Sequence, residues 1–199
     1  MTESLVLLSH GAATRWLRRA LLAVLGALLL GGTALARDPV VVQSAYVNVR
    51  GGVFELNAHT IFPLNEDVRA ALAEGATISL ELRAVVDRHR RYWWDATLVD
   101  ITLKRELTWN EVSQRYILHE ADGAGQESYQ ALDQALVAAG QVLDWPVVVE
   151  PQLDPEATYA IRVRAAVRRG RLPETLRRLM FWSDSWNRSS DWYEWTLPR

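Results

Sequence analysis

The stretch ATISLELRAVVDRHRRYWWDATLVDITLKRELTWN, Ala76–Asn110, decides the fold class. From Thr77 to Asp87 the side chains alternate. Ile78, Leu80, Leu82, Ala84 and Val86 share one parity; Thr77, Ser79, Glu81, Arg83 and Asp87 share the other, with Val85 the one apolar exception. A period of two sustained this long predicts a strand with one face on a core and one in water. After Arg88-His89-Arg90-Arg91-Tyr92-Trp93-Trp94 the pattern resumes. Thr97, Val99, Ile101 and Leu103 alternate with Leu98, Asp100, Thr102 and Lys104, in a segment rich in β-branched residues. These two runs are expected to pair as the central hairpin.

The flanking segments extend the same pattern. Val40–Val49 and Val53–Phe62 bracket Gly51-Gly52, where two glycines that accept positive φ predict a two-residue hairpin. Asn65 reads as a helix N-cap with Glu66 and Asp67 in the first turn, Val68, Ala71 and Leu72 as an apolar stripe, and Gly75 as the C′ glycine. Trp109–Glu111 reads as a turn and Arg115–Glu120 as a strand. Ser128–Gly140 reads as a second helix with Gly140 as terminator. Val142–Glu150, interrupted by Pro146, predicts an edge strand or a bulge. Thr158–Arg168 alternates again, putting Tyr159, Ile161, Val163, Ala165 and Val167 on one side and Arg162, Arg164 and Arg168 on the other. A short helix over Pro173–Phe181 and a last strand over Trp192–Leu197 complete the count. The expected fold is mostly β: an antiparallel, immunoglobulin-like β-sandwich with two or three short helices.

The N-terminal segment is read separately. Arg15, Arg18 and Arg19 precede an apolar run, Ala20–Leu30, and then Ala34-x-Ala36. A basic flank, a short apolar region and small residues at the end predict a secretory signal over residues 1–36, cleaved before Arg37. The alternative is an uncleaved N-terminal anchor, for which the run from Ala20 to Ala36 is at the short edge. Residues 37–199 are then one exported β-sandwich domain, expected in the periplasm, or facing it from an inner-membrane anchor. Membrane contact is expected only through that uncleaved segment.

Charge excludes one class of partner. The chain has 22 basic and 24 acidic residues; without Arg15, Arg18, Arg19 and Glu3 it has 19 and 23, a net of −4. Nucleic acid is therefore not expected, because phosphate binding needs clustered positive charge. There is no cysteine, so no disulfide supports the fold and 49% hydrophobic residues must supply its core.

Three motifs carry a family resemblance: Arg88-x-Arg90-x-x-Trp93-Trp94-Asp95, then Leu107-Thr108-Trp109-Asn110 with Tyr116, then Trp192-Tyr193-x-Trp195. In this order they resemble domain-of-unknown-function family 4390, a family of exported proteobacterial proteins, over essentially the whole chain after residue 36. The resemblance implies an exported, mostly β protein with no known catalytic activity or cofactor. Members look to be encoded beside a nitrogen-regulation-type sensor kinase, which implies an envelope or inner-membrane protein as partner.

Few residues suggest chemistry. His59, His89 and His119 lack any metal-ligand spacing, and isolated histidines are more often surface or hydrogen-bonded residues. Asp95, Asp100, Glu106, Glu111 and Glu120 are acidic residues of the kind expected on solvent faces. No nucleophile elbow, phosphate loop, His-Glu-x-x-His or cysteine nucleophile is present, so neither an enzyme nor a metal or cofactor site is expected. The minority alternative is a hydrolase with an unrecognised site. Candidate partner contacts are Arg88, Arg90, Arg91, Trp93 and Trp109, because arginine and aromatics dominate interface hot spots. The other alternative is a glycan-binding sandwich that stacks sugars on Trp182, Trp186, Trp192 and Trp195. Against it stands capping of the core by the same C-terminal indoles, which is preferred.

Overall fold

The structure, a computed structural model, describes residues 39–89, 96–121, 123, 125–174 and 186–197. A first hairpin, β1 (Val41–Arg50) and β2 (Val53–Ile61), is followed by helix α1 (Glu66–Ala73) and the long pair β3 (Thr77–Arg88) and β4 (Ala96–Asn110). Then come β5 (Arg115–Glu120), β6 (Gln126–Tyr129), helix α2 (Leu132–Gly140) and β7 (Gln141–Val149). A single 3-10 turn, Glu150–Gln152, leads to β8 (Tyr159–Arg169), β9 (Arg188–Ser189) and β10 (Tyr193–Thr196).

Two antiparallel sheets result. One has the order β1-β2-β7; the other runs β10-β8-β3-β4-β5-β6, with β9 also pairing with β8. The expected central hairpin is present, paired from Thr77 opposite Thr108 to Arg88 opposite Ala96, with a register shift between Val86 and Asp87. Both helices are crossovers: α1 carries the chain from the small sheet to the large one, and α2 carries it back. An immunoglobulin constant domain divides its strands four and three; here the described strands divide three and seven. The fold is an antiparallel β-sandwich with two short helices among the described residues.

The core follows the parities. Ile78, Leu80, Leu82, Ala84 and Val86 of β3 and Tyr159, Ile161, Val163, Ala165 and Val167 of β8 are all buried. Val42, Phe54, Leu56, Val142, Val147 and Val148 from the small sheet belong to the same cluster. Each fully buried Val, Leu or Ile contributes about 1.5–3 kcal/mol.

Local signals are realised with their expected geometry. Gly51 and Gly52 have φ of 58° and 78°, the pair of positive values that a tight hairpin with the right twist needs. The Asn65 side chain accepts from the Val68 N–H at 3.0 Å. Gly75, at φ 86°, closes α1: its N–H donates to Leu72 O and that of Ala76 to Ala71 O, which makes a Schellman motif. β7 is an edge strand and its pairing with β2 is irregular, with Asp144 at positive φ.

The tertiary structure alters several details. Ser128 and Tyr129 do not start the second helix; Gln126–Tyr129 adds an edge strand to β5, from His119 opposite Gln126 to Tyr116 opposite Tyr129. Four residues gain more from completed ladder hydrogen bonds than from an unfinished helical turn. Trp109 and Asn110 belong to β4 rather than to a turn, because Trp109 pairs with Tyr116 and the rings pack at 4.6 Å. In β1 a bulge between Val42 and Ser44 changes the parity, so Val42, Ala45 and Val47 turn inward while Tyr46 and Val49 remain exposed. Helix α2 ends at Gly140 as expected, and the glycine also permits a close approach: an added Cβ would lie 2.0 Å from the Thr60 carbonyl oxygen. The signal segment, residues 1–36, lies outside the described residues, as does most of the helix expected over Pro173–Phe181.

Candidate functional site

The second parity of β3 builds the site. Glu81, Arg83, Val85 and Asp87 point to the outer face of the large sheet, away from the core. In register, Arg83 stands opposite Thr102 of β4 and Arg164 of β8, and Val85 stands opposite Asp100 and Arg162. Trp192, just ahead of β10, lies over this surface. The guanidinium carbons of Arg162, Arg164 and Arg83 are 5.0, 5.7 and 5.9 Å from its ring centroid. Each such cation–π contact at an accessible site is worth about 0.5–1 kcal/mol. The apolar exception in the pattern, Val85, is only 3% exposed in the middle of this group. Its burial on the supposedly wet face shows that the face is covered.

The arginines differ in how their charge is met. Arg83 donates twice to Asp100, its Nε at 2.7 Å. That hydrogen bond holds the Asp100 carboxyl below the usual carboxylate range and the guanidinium above its own. Arg162 pairs with Asp87 at 2.6 Å, and Thr97 Oγ1 donates to the other Asp87 oxygen at 2.7 Å. Arg168 reaches Glu81 only at 3.8 Å. Arg164 has no carboxylate within 4.0 Å among the described residues. Its Nε donates to Ser190 O at 2.9 Å and its Nη2 to Ser189 Oγ at 2.6 Å. A neutral carbonyl and a hydroxyl orient this guanidinium without neutralising it. Beside it is a groove of about 450 Å³ that Arg83, Arg164, Arg168 and Ser189 share with Glu81 and Asp100. The arrangement suits recognition of an anion.

The residues singled out in the sequence are dispersed. Arg88 ends β3 and forms an ion pair with Asp154. Trp109 is at the opposite end of the hairpin, 13 residues along β4 from Ala96, or roughly 40 Å at the rise of a strand. Arg88 and Trp109 therefore do not share a surface. Arg90, Arg91 and Trp93 lie outside the described residues. Among the C-terminal indoles, Trp186 is a core residue at 1% exposure and cannot stack a sugar. Trp195 pairs with Ile161 on the inner side, half-buried and edge-on to Tyr193 at 5.6 Å. Trp192 is on the outer face, and Trp182 lies outside the described residues. The three placed indoles form no common stacking platform. The arginine row of β8 was visible as a parity, and Arg83 as an outward residue; what brings them together with Trp192 was not.

Other features resolve into packing. His59 is in the small sheet, His119 is in β5, and His89 follows β3. No three side chains of metal-ligating type converge among the described residues. A second cleft, of about 420 Å³, contains Arg105, Glu120 and Tyr129. There Arg105 ties down the C-terminal end of α2, donating to the carbonyls of Ala138, Ala139 and Gln141, and pairs with Glu120 at 3.0 Å. Burial, then the hydrogen bond to Glu127, pushes the Tyr129 hydroxyl up to about 12. A third hollow, of about 460 Å³, is mostly apolar and lies against Phe54, Leu153, Tyr159 and Leu197. Among the described residues no helix is long and apolar enough to cross a membrane.

The family model described as Domain of unknown function (DUF4390) matches residues 37–196, which include every strand described above. No curated protein and no solved structure gives a significant match. The chain belongs to the family of the domain of unknown function DUF4390.

Proposed function

We propose that this protein is a non-enzymatic interaction module of the cell envelope, and that the outer face of its large sheet around Trp192 is where it meets a protein partner. The partner is an envelope or inner-membrane protein, such as a sensor kinase. The protein reaches it by export through the signal in residues 1–36, with cleavage near Ala36. The observation that carries the reading is Arg164: a guanidinium oriented by Ser189 and Ser190, packed on Trp192, with no carboxylate among the described residues to neutralise it. Folding alone gains little from an arginine placed directly opposite another arginine, since like charges across a strand pair destabilise. Arginine and tryptophan together are the residue types that most often dominate protein interfaces. This relocates the contact surface from the Arg88 and Trp109 ends of the hairpin to its middle.

The test is covalent crosslinking in cells with the chain tagged at Arg199. Wild type is compared with Arg164→Glu/Arg168→Glu and with Arg90→Glu/Arg91→Glu. One envelope protein should be captured by wild type and lost in the first pair. Equal capture by that pair, with its circular dichroism unchanged, would remove this face from the function. Recovery of the chain in the cytoplasm would refute the envelope assignment.

A further inference from the structure

We infer that the groove beside Trp192 is a carboxylate-binding site whose occupant is an acidic side chain of the protein partner, an inference that rests on the contact face proposed above. Four features converge on this chemistry. Arg164 engages its Nε and Nη2 with protein acceptors, and its Nη1 has no acceptor among the described residues. Arg168, on the same wall of the groove, has its nearest carboxylate at 3.8 Å and so holds donors that are loosely used. Arg83 stands directly opposite Arg164 in register, and this like-charge pair is relieved on one side only, by Asp100. An anion between Arg164 and Arg168 relieves the other side. Guanidinium matches a planar carboxylate through parallel N–H donors, and the Arg164 group lies 5.7 Å from the Trp192 ring centroid.

The remaining lining decides which anion. Glu81 and Asp100 bring two negative charges to the same groove. They repel a dianionic phosphate or a polyanion more strongly than a single carboxylate, and the chain's net negative charge acts in the same direction. A nucleic acid or an anionic membrane surface is thus disfavoured by charges that one glutamate or aspartate side chain can avoid.

The experiment is a nitrogen-15 NMR titration of the full chain, following the Trp192 indole N–H and the Arg164 Nε–H. The probes are a capped glycine-serine peptide carrying one glutamate, the same peptide with glutamine for that glutamate, and inorganic phosphate. The glutamate peptide should give saturable shifts at those two groups, with affinity at least tenfold above either other probe. Arg164→Gln should weaken it at least tenfold. Because Arg164→Gln also removes contacts to Ser189 and Ser190, Asp100→Asn serves as an independent variant. It frees Arg83 and removes a repelling charge, so it should strengthen binding severalfold. The inference is overturned by equal binding of the glutamine peptide, by tighter binding of phosphate, by shifts confined to other surfaces, by no saturation, or by weaker binding in Asp100→Asn. A negative titration with crosslinking still dependent on Arg164 and Arg168 overturns the carboxylate chemistry and leaves the contact face standing.

Discussion

Replacing Gly140 by alanine tests how the two sheets are joined. In an ordinary helical position glycine to alanine is stabilising by roughly 0.5–1 kcal/mol, because alanine loses less backbone entropy on folding. Gly140 is the last residue of α2 and is not among the glycines at positive φ, so backbone conformation alone predicts that gain. Space predicts the opposite. The new Cβ would sit 2.0 Å from Thr60 O, where ordinary contact begins at 3.4 Å. Neither side can readily yield. Thr60 is paired with Val42 on one side, and its neighbour His59 is paired with Gln141 on the other. The end of α2 is held by Arg105 through three carbonyls. Overpacking of this kind costs about 1–3 kcal/mol and occasionally more. Because neither side can yield, the upper end of that range applies, and we expect Gly140→Ala to lose about 2 kcal/mol net after the entropic gain is subtracted. For a domain of this size that lowers Tm by about 4–8 °C. Urea unfolding followed by circular dichroism measures it, with Gly125→Ala, whose Cβ would meet open space, as the control. A Gly140→Ala protein as stable as wild type or more so would refute the close-approach reasoning and return Gly140 to a merely terminating role.

Two further predictions concern single groups. Asn65→Ala should cost about 1 kcal/mol by removing the acceptor for the Val68 N–H, whereas Asn65→Asp should be close to neutral; equal losses in thermal melts of the two variants would contradict the capping role. Tyr129 should ionise near 12 rather than at the ordinary 10.0. A raised pKa in the folded state favours the neutral phenol, so its contribution to stability is complete below pH 10 and is lost as the pH rises from 10 towards 12. An alkaline absorbance titration should show a late phenolate step that Tyr129→Phe removes; folded-state tyrosines all ionising together near 10 would contradict it.

What could be read from the sequence shares one property: it is local. The parity of β3 and β8, the paired positive φ of Gly51 and Gly52, and the Asn65 cap with Gly75 each depend on residues within a few positions of one another. Backbone sterics and side-chain period decide them before any partner strand is chosen. The charged outer parity of β8 was legible for the same reason. The tertiary structure decided everything that depends on distant surfaces meeting. Gln126–Tyr129 is extended because β5 offers an unpaired edge, a neighbour that no local propensity encodes. Gly140 is small because Thr60 lies against it. Trp109 and Arg88 share the hairpin yet lie at its two ends, so strand length separated what proximity in sequence had seemed to join. Trp192 lies over Arg83, more than a hundred residues earlier in the chain, only because β10 pairs with β8 and β8 with β3. That order of strands, set by which apolar faces bury together, gathers an alternation of arginines around one indole.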